Sequence, residues 1–204
     1  RSPEAISELI YLLNVQRNIM SVEQNRPSMG MVMNSVTAFY LLSQAKTLID
    51  DKLYSEIIDI LPYKDDIDTL ETRCLFYGIH PRSGPGLISA LFPASFRYSR
   101  GDVEICQGIL ISGKMNKSTV GNSGRSVIQE LHKKYGFERT SHFFTCAPYM
   151  MNKWLMERGF TVGMVDCVNV GIEDGELFDA SKKVIDAELA KISVQVKAIG
   201  GPVS

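Results

Sequence analysis

Residues 102–113 read DVEICQGILISG, and in this stretch the spacing of apolar residues along the chain changes. Elsewhere most apolar residues recur at helical spacing. Here Val103 and Ile105 alternate with other residues, and Ile109 and Ile111 do the same after a Gln-Gly pair. Alternation with a period of two predicts a β-hairpin or two short strands, with Ile109 and Ile111 buried. We therefore expect an α+β fold that is mostly helical, with small antiparallel β elements.

The same segment contains GILISGKM, residues 108–115, which is one residue short of a phosphate-binding loop. Such a loop needs flexible backbone in its four middle positions and a final Ser or Thr that contacts magnesium. Here the middle positions are Ile-Leu-Ile-Ser, and Met115 stands where the hydroxyl residue would be. The apolar alternation favours a strand that delivers Lys114 to a loop edge, not a nucleotide cradle.

Helices are predicted on both sides of this hairpin from apolar stripes, caps and breaks. The first, residues 3–15, has Pro in its first turn and should bury one face. That face consists of Ile6, Leu9, Ile10 and Leu13. Other helices are expected at 33–42, at 50–61, at 86–92, from a cap at Asn122 or Ser123 to Gly136, and from about 148 to Gly159. A loop is predicted at 21–30 and a strand at 160–165.

Residues 178–199 have the most regular pattern in the chain. Phe178, Ile185, Ile192 and Ile199 are seven residues apart, with Leu189 and Val196 at interleaved positions. This stripe predicts a long closing amphipathic helix, which needs a partner to cover its apolar side. No second helix follows it in the sequence, so we expect the chain on its own to self-associate or to exchange this helix between copies.

Charge is balanced overall but uneven along the chain. The net charge of −1 predicts no general attraction to nucleic acid or to acidic membranes. Residues 48–71 carry eight acidic residues against two lysines, whereas residues 97–139 carry eight basic residues against four acidic ones. The simplest interpretation of either segment is a solvated face.

Several classes of protein are disfavoured. The four cysteines are widely spaced and include no Cys-x-x-Cys pair, which argues against a zinc site and against a disulfide framework. No apolar run approaches the roughly 20 residues of a membrane span, and no signal peptide is evident. The three histidines are scattered, and neither a nucleophile elbow nor a zinc-protease motif occurs. The residues by themselves display no active site and no metal site.

Three segments, taken in order, resemble the largest subunit of multisubunit DNA-directed RNA polymerases. Residues 15–32, VQRNIMSVEQNRPSMGMV, are similar to the family stretch N-x-I-S-P-x-x-N-K/R-P-x-M-G-I-V. Residues 102–136 resemble I-x-x-G-x-L-x-x-G-x-x-x-K-x-x-V-G followed by a helix of the type S-L-I-H-x-x-x-x-x-x-G. Residues 152–167, NKWLMERGFTVGMVDC, are similar to W-L-x-x-x-G-F-S-x-G-I-x-D.

The resemblance implies a place in the pore and funnel of the polymerase, the secondary channel through which NTPs enter and backtracked RNA leaves. It implies that residues 1–61 form a pore-proximal helical region after the active-site loop and that 86–204 form the funnel region. Residues 62–85 have no clear counterpart in the family, and their Pro and Gly breaks predict a linker or insert. The closing helix would be half of a funnel helix hairpin. The family's magnesium is held by aspartates expected before Arg1, so the resemblance implies no cofactor in this chain and no polymerisation by it alone.

The resemblance also indicates which residues meet nucleotides or RNA. Asn25 and Arg26 fall in the stretch nearest the active centre, although Asn25 could equally hold the backbone of its loop. Lys114, Lys117 and Arg125 are the candidates for lining the channel, because a few unpaired cations attract polyanions without trapping them. The alternative for these three residues is ordinary exposed loop charge.

Departures from the family pattern favour the polymerase of a large cytoplasmic DNA virus over a cellular enzyme. Met33-Asn34-Ser35 stand where most relatives have Gln-Asp-Thr, and Ser118 follows Lys117 at a paired-lysine position. A viral enzyme would work in the host cytoplasm and be carried in the virion, and a cellular one would work in the nucleus.

The expected partners are other polymerase subunits, especially the second largest, together with NTPs and nascent RNA. In an alternative hypothesis the chain is chiefly a docking module for transcript-cleavage or other regulatory factors, through the funnel helix and residues 48–71. A third hypothesis, a stand-alone nucleotide-binding protein, predicts ATP or GTP binding in calorimetry.

Overall fold

The structure, a computed structural model, describes residues 2–44, 48–167 and 182–189. The chain divides into two units, Arg1–Gly159 and Phe160–Ser204. The helices are α1 Pro3–Tyr11, α2 Asn34–Gln44, α3 Asp51–Ile60, α4 Lys64–Asp68, α5 Leu70–Phe76, α6 Gly84–Ser89, α7 Lys117–Val120, α8 Val127–Arg158 and α9 Met164–Cys167, with a 3-10 helix at Val15–Asn18. The strands are β1 Met20–Ser21, β2 Arg26–Pro27, β3 Tyr98–Arg100, β4 Val103–Cys106 and β5 Ile109–Ser112.

The strands form two small antiparallel sheets, which confirms the predicted α+β class. β1 pairs with β2, and β3, β4 and β5 form a three-stranded sheet in chain order. The hairpin predicted at 102–113 is therefore present as β4 and β5, with Gln107 and Gly108 at positive φ in its turn. Strand β3 extends it on the other side and was not predicted.

The burial pattern of β5 differs from the prediction. The register between β4 and β5 shifts at Glu104 and Ile105, so that Leu110 pairs with Ile105 and Ser112 pairs with Glu104. Ile111 is the extra residue of this bulge and has no pairing partner on β4. Ile109 is buried as expected, but Leu110 is its buried neighbour and Ile111 is 38% exposed.

The core of the first unit lies between α2, α6, α8 and the three-stranded sheet. Its centre is a group of stacked phenylalanines: Phe92 lies 5.2 Å from Phe96 and 5.9 Å from Phe143, measured between ring centroids. Phe39 of α2 lies 6.5 Å from Phe143 of α8. Aromatic rings bury more apolar area than any other side chains, so this group fixes how α2 and α8 pack.

The segment between α3 and α6 packs on this core through α4 and α5. The guanidinium of Arg73 donates to the backbone oxygen of Gln107 in the β4–β5 turn and to that of Asp66, both at 2.6 Å. The carboxylate of Asp66 accepts from Arg139 of α8 at 2.5 Å, with both side chains largely buried. Leu70 is also buried. These contacts tie the segment to both the sheet and α8, and its role as a linker or insert stays a prediction.

Helix α8 was expected as two shorter helices. Ser126 caps it, not Asn122 or Ser123, because the Ser126 hydroxyl accepts from the backbone N–H of Gln129. Gly136 has φ 77° and interrupts the helical geometry where the first helix was predicted to stop, but the chain resumes as helix directly afterwards. Pro148 therefore lies inside the second half and does not begin it, whereas the predicted end at Gly159 is confirmed.

Helix α1 forms as predicted, but its apolar face is not buried within the described residues. Ile6, Leu9 and Ile10 are each more than half exposed, as is Leu13, which follows the helix. The amphipathic spacing predicted the helix correctly and predicted its burial wrongly, because spacing identifies an apolar face without supplying a surface to cover it.

Two further predictions are corrected. The loop predicted at 21–30 contains the short β1–β2 hairpin, in which Arg26 pairs with Ser21 across the ladder. The strand predicted at 160–165 is irregular backbone followed by α9. Alternating apolar residues form a strand only where another strand is available for pairing, and the described residues provide none there.

The closing heptad helix is described only at residues 182–189, which are helical. Ile185 and Leu189 belong to the predicted stripe and are both more than half exposed. Its remaining members lie outside the described residues, and self-association stays a prediction.

Candidate functional site

Asn25 and Arg26 lie where the β1–β2 hairpin turns, and both are exposed. Asn25 has φ 46°, in the left-handed region that Asn tolerates better than most residues. Its backbone oxygen accepts a hydrogen bond from the Nε2 of Gln129 at 3.0 Å. The hairpin is thereby fastened to the start of α8, which fixes the position of Arg26 relative to that helix.

The backbone after the hairpin packs directly on the end of α7. A Cβ on Gly30 would lie 2.5 Å from the carbonyl carbon of Gly121 and closer still to the backbone nitrogen of Asn122. Next to it, the N–H of Met31 donates to the oxygen of Val120 at 2.9 Å. Only glycine permits this approach, so the Pro-x-Met-Gly stretch brings the hairpin against the α7 segment.

Arg125 lies in the turn before α8 and also has positive φ, 58°. Its N–H donates to the Oε1 of Gln129 at 2.5 Å, and its backbone oxygen accepts from the Tyr98 hydroxyl at 3.0 Å. The amide of Gln129 therefore joins the backbones of Asn25 and Arg125, which are 100 positions apart in the sequence. The Arg125 side chain is exposed.

Lys114 follows β5 and lies over α2. Its ammonium group is 5.8 Å from the centroid of the Tyr40 ring, a cation–π distance. The next residue, Met115, is buried, and its N–H donates to the Ser43 hydroxyl at 3.2 Å. The loop edge that carries Lys114 is therefore anchored to α2, while the Lys114 side chain itself is exposed.

Lys117 is the first residue of α7 and is exposed. The side chain of Asn116 caps this helix by accepting from the N–H groups of Ser118 and Thr119. The backbone oxygen of Lys117 accepts from the N–H of Gly121 at 2.9 Å. The single turn of α7 is closed at both ends, which fixes the backbone that carries Lys117.

The four basic candidates have no carboxylate partner within the described residues. The ion pairs found there involve none of Arg26, Lys114, Lys117 and Arg125. Their charges are thus available to anions from solution.

The acidic segment 48–71 behaves differently, because half of its carboxylates are paired within the molecule. Asp51 pairs with Arg82, Glu56 with Lys153, Asp59 with Lys64, and Asp66 with Arg139. The hydrogen bond from Lys153 lowers the pKa of Glu56 below its ordinary value. The negative charge offered to a partner is smaller than the sequence suggests.

The structure thus brings Asn25, Arg26, Lys117 and Arg125 onto segments in direct contact, and places Lys114 three residues before α7. Gln129, which makes the connection, was not singled out from the sequence. The signal was present: Ser126 followed three residues later by Gln129 is a capping-box pattern. It marks the helix start, and here the glutamine amide reaches beyond the cap to two neighbouring turns.

No helix within the described residues combines the length and the apolar character needed to cross a bilayer. The same part of the chain contains no group of three or more His, Cys, Asp or Glu residues arranged to hold a metal ion.

Comparison with known proteins decides the family. Residues 18–167 match the family described as RNA polymerase Rpb1, domain 3. The chain belongs to this family. All five candidate residues lie within the matched region.

Individual relatives agree with this assignment. The chain is 27% identical over 82% of its length to a probable DNA-directed RNA polymerase II subunit RPB1 homolog of Invertebrate iridescent virus 6. It is 23% identical over 91% of its length to the DNA-directed RNA polymerase III subunit rpc1 of Schizosaccharomyces pombe, and 25% identical over 79% to the RNA polymerase II subunit RPB1-B of Trypanosoma brucei brucei. The aligned region spans only 18%, 15% and 10% of these relatives, respectively.

Proposed function

We propose that the chain forms part of the pore and funnel in the largest subunit of a DNA-directed RNA polymerase, where it lines the secondary channel. The observation that carries the proposal is a group of four solvent-accessible cations without carboxylate partners in the described residues, on segments that are packed together. They are Arg26, Lys114, Lys117 and Arg125.

The electrostatics fit passage of a polyanion better than tight binding. Accessible and unpaired cations raise the local concentration of NTPs and RNA through long-range attraction, which salt screens. The Gly30 contact and the Gln129 bridge fix the backbones from which these side chains extend, so the charges stay grouped on one part of the surface. Lys114, held over Tyr40 and anchored through Met115, serves in the same way.

In this proposal the chain binds no catalytic metal and does not polymerise by itself. The magnesium-holding aspartates implied by the family would come from outside this sequence. The partners would be the other polymerase subunits, the second largest in particular, with NTPs and nascent RNA passing over the cationic surface. Its place of work would be the host cytoplasm and virion for a viral enzyme, and the nucleus for a cellular one.

The test is charge reversal in the assembled polymerase. Lys114→Glu with Lys117→Glu should alter elongation rate or recovery from backtracking in purified enzyme with no accessory factor, because two attractive charges become repulsive. Lys52→Glu with Lys133→Glu changes the net charge equally at other surface lysines and should leave both rates unchanged. Wild-type rates in the Lys114 and Lys117 double variant would show the lining proposal to be wrong.

The alternative, a docking module for transcript-cleavage or regulatory factors through residues 48–71, has less support because half of the carboxylates there are already paired. It predicts that the same double variant is normal without a factor and impaired only when one is added.

A further inference from the structure

An open groove of about 500 Å³ lies beside β3 in the first unit. Its lining residues are Arg97, Tyr98, Ser99, Arg100, Arg125 and Glu130. The lining contains three guanidinium groups and one carboxylate, and none of the three arginines forms an ion pair within the described residues. A concave surface with an excess of one charge concentrates ions of the opposite sign.

The guanidinium of Arg100 is held in a fixed orientation. Its Nη1 donates to the backbone oxygens of Ser118, Gly124 and Arg125 at 3.1, 2.8 and 3.2 Å. All three carbonyls accept from Nη1, so the edge formed by Nε and Nη2 takes no part in these three hydrogen bonds. That edge carries parallel N–H groups, which match two oxygens of a phosphate.

Arg125 is held in an unfavourable backbone conformation at the edge of the same groove. Its φ of 58° is uncommon for a residue with a long side chain, and such conformations persist only where the surroundings determine them. Here Gln129 holds its N–H, while Tyr98 and Arg100 hold its oxygen. Burial raises the pKa of the Tyr98 hydroxyl, an effect that Arg100 partly offsets, so the hydroxyl remains a donor at neutral pH.

The cost of this conformation would be avoided by glycine, which adopts positive φ freely. An arginine at this position therefore contributes something that the fold does not require. Its exposed side chain lies on the groove that also holds the oriented Arg100.

We propose that this groove is a phosphate-binding site, in which Arg100 and Arg125 contact the phosphate and Arg97 adds a third positive charge. The inference deepens the proposed function and rests on it only for the source of the phosphate, an NTP or the backbone of an RNA strand. Glu130, on the same surface, weakens the attraction and keeps the bound phosphate exchangeable.

The test measures binding to the 204-residue chain with three probes: a single-stranded RNA oligonucleotide, ATP and inorganic phosphate. Arg100→Gln and Arg125→Gly should each weaken binding of RNA or ATP by about fivefold or more, since each removes a charge-assisted hydrogen bond. Arg125→Gly is the decisive variant. This variant removes the guanidinium and also the cost of positive φ at this position. Its melting temperature should therefore equal or exceed that of the wild type.

Two further variants serve as controls. Lys133→Gln removes one positive charge from an exposed position on α8 and should change affinity by less than about twofold. Glu130→Gln should tighten binding, because it removes the carboxylate that faces the phosphate. Loss of RNA binding alone would identify an RNA backbone, loss of ATP binding alone a free nucleotide, and loss of both the phosphate group common to them. No binding of any probe, or unchanged binding in Arg100→Gln and Arg125→Gly, would overturn the inference.

This outcome is separable from that of the proposed function. If the groove variants no longer bind the phosphate probes while polymerase with the Lys114 and Lys117 double substitution transcribes normally, the phosphate site is supported and the lining proposal is wrong. If the double variant is impaired while Arg125→Gly binds RNA and ATP normally, the lining proposal stands and the site fails.

Discussion

Helices α1 and α6 show opposite relations between sequence and burial. α1 has nine residues with a clear apolar stripe, and none of them is buried. α6 has six residues, GPGLIS, among which glycine and proline are poor helix formers, and five of the six are buried. The difference is position: α6 lies between α2 and β5, whereas α1 makes no comparable contact within the described residues. Burial follows from neighbours, and amphipathic spacing only indicates which face would be buried.

The composition of α6 follows from how closely it is packed. A Cβ on Gly86 would lie 2.5 Å from the backbone oxygen of His80 and closer still to that of Pro81. The hydroxyl of Ser83 caps the helix by accepting from the N–H of Gly86, and Pro85 sits in the first turn, where its missing N–H costs nothing. Weak propensity is thus overridden by capping and by close approach to the preceding loop.

Identical substitutions in the two helices give the largest expected contrast. Leu87 of α6 is fully buried and Leu9 of α1 is 58% exposed. Leu87→Ala should lower the free energy of unfolding by about 2–5 kcal/mol, because it leaves a cavity in a packed core. Leu9→Ala should change it by less than about 0.5 kcal/mol. Urea denaturation of both variants measures the difference, and equal losses would mean that α1 is covered in solution.

A smaller contrast is expected between two glycines near the candidate site. Gly30→Ala places a methyl group against the backbone of Gly121 and Asn122 and should cost about 1–3 kcal/mol. A Cβ on Gly124 would meet no heavy atom of the described residues within 4 Å, so Gly124→Ala should change stability by less than about 0.5 kcal/mol. Thermal denaturation of both variants measures this. A neutral Gly30→Ala would mean that the hairpin segment can move away from α7, and that the positions of the basic residues are not fixed by this contact.

How much of this could be predicted from the sequence depends on the range of the interaction. Helices α2 and α3 and the β4–β5 hairpin follow from local periodicity, and their predicted ranges agree with the structure to within about two residues. The exposure of Ile111 could not be predicted, because Ile111 is the unpaired extra residue of a bulge against β4. The prediction that α1 buries its apolar face was wrong for the same reason, since burial depends on a covering surface that the spacing of residues does not reveal.

The candidate site also has features that the sequence could predict and features that depend on distant contacts. The resemblance to a polymerase subunit located Asn25, Arg26, Lys114, Lys117 and Arg125, and the family match covers all of them. The contacts that join their segments come from Gly30, which packs on Gly121 and Asn122, and from Gln129, which reaches Asn25 at a separation of 104 residues. Arg100 was missed because only the fold shows that three carbonyls converge on its guanidinium.

The smallest expected effect is on the pH dependence of stability, and it contrasts a buried cysteine with an exposed one. Cys74 of α5 is fully buried, and burial raises the pKa of its thiol to about 11, whereas Cys167 is exposed. An unfolded chain releases the Cys74 proton near its ordinary pKa of about 8.5, so between these values the unfolded state binds fewer protons than the folded one. The stability from the protonated thiol is therefore complete below about pH 8.5 and declines as pH rises towards 11.

Cys74→Ala should remove the part of the decline in unfolding free energy that comes from this thiol and leave the part that comes from other groups. The slope of unfolding free energy against pH should therefore differ between the wild type and the variant. At pH 8 a thiol reagent should modify Cys167 rapidly and Cys74 only after unfolding, because the thiolate is the reactive form and burial suppresses it. Parallel slopes in the two proteins, or equal labelling rates, would mean that α5 opens readily. The segment between α3 and α6 would then resemble α1 in being loosely covered, despite the contacts of Arg73 and Asp66.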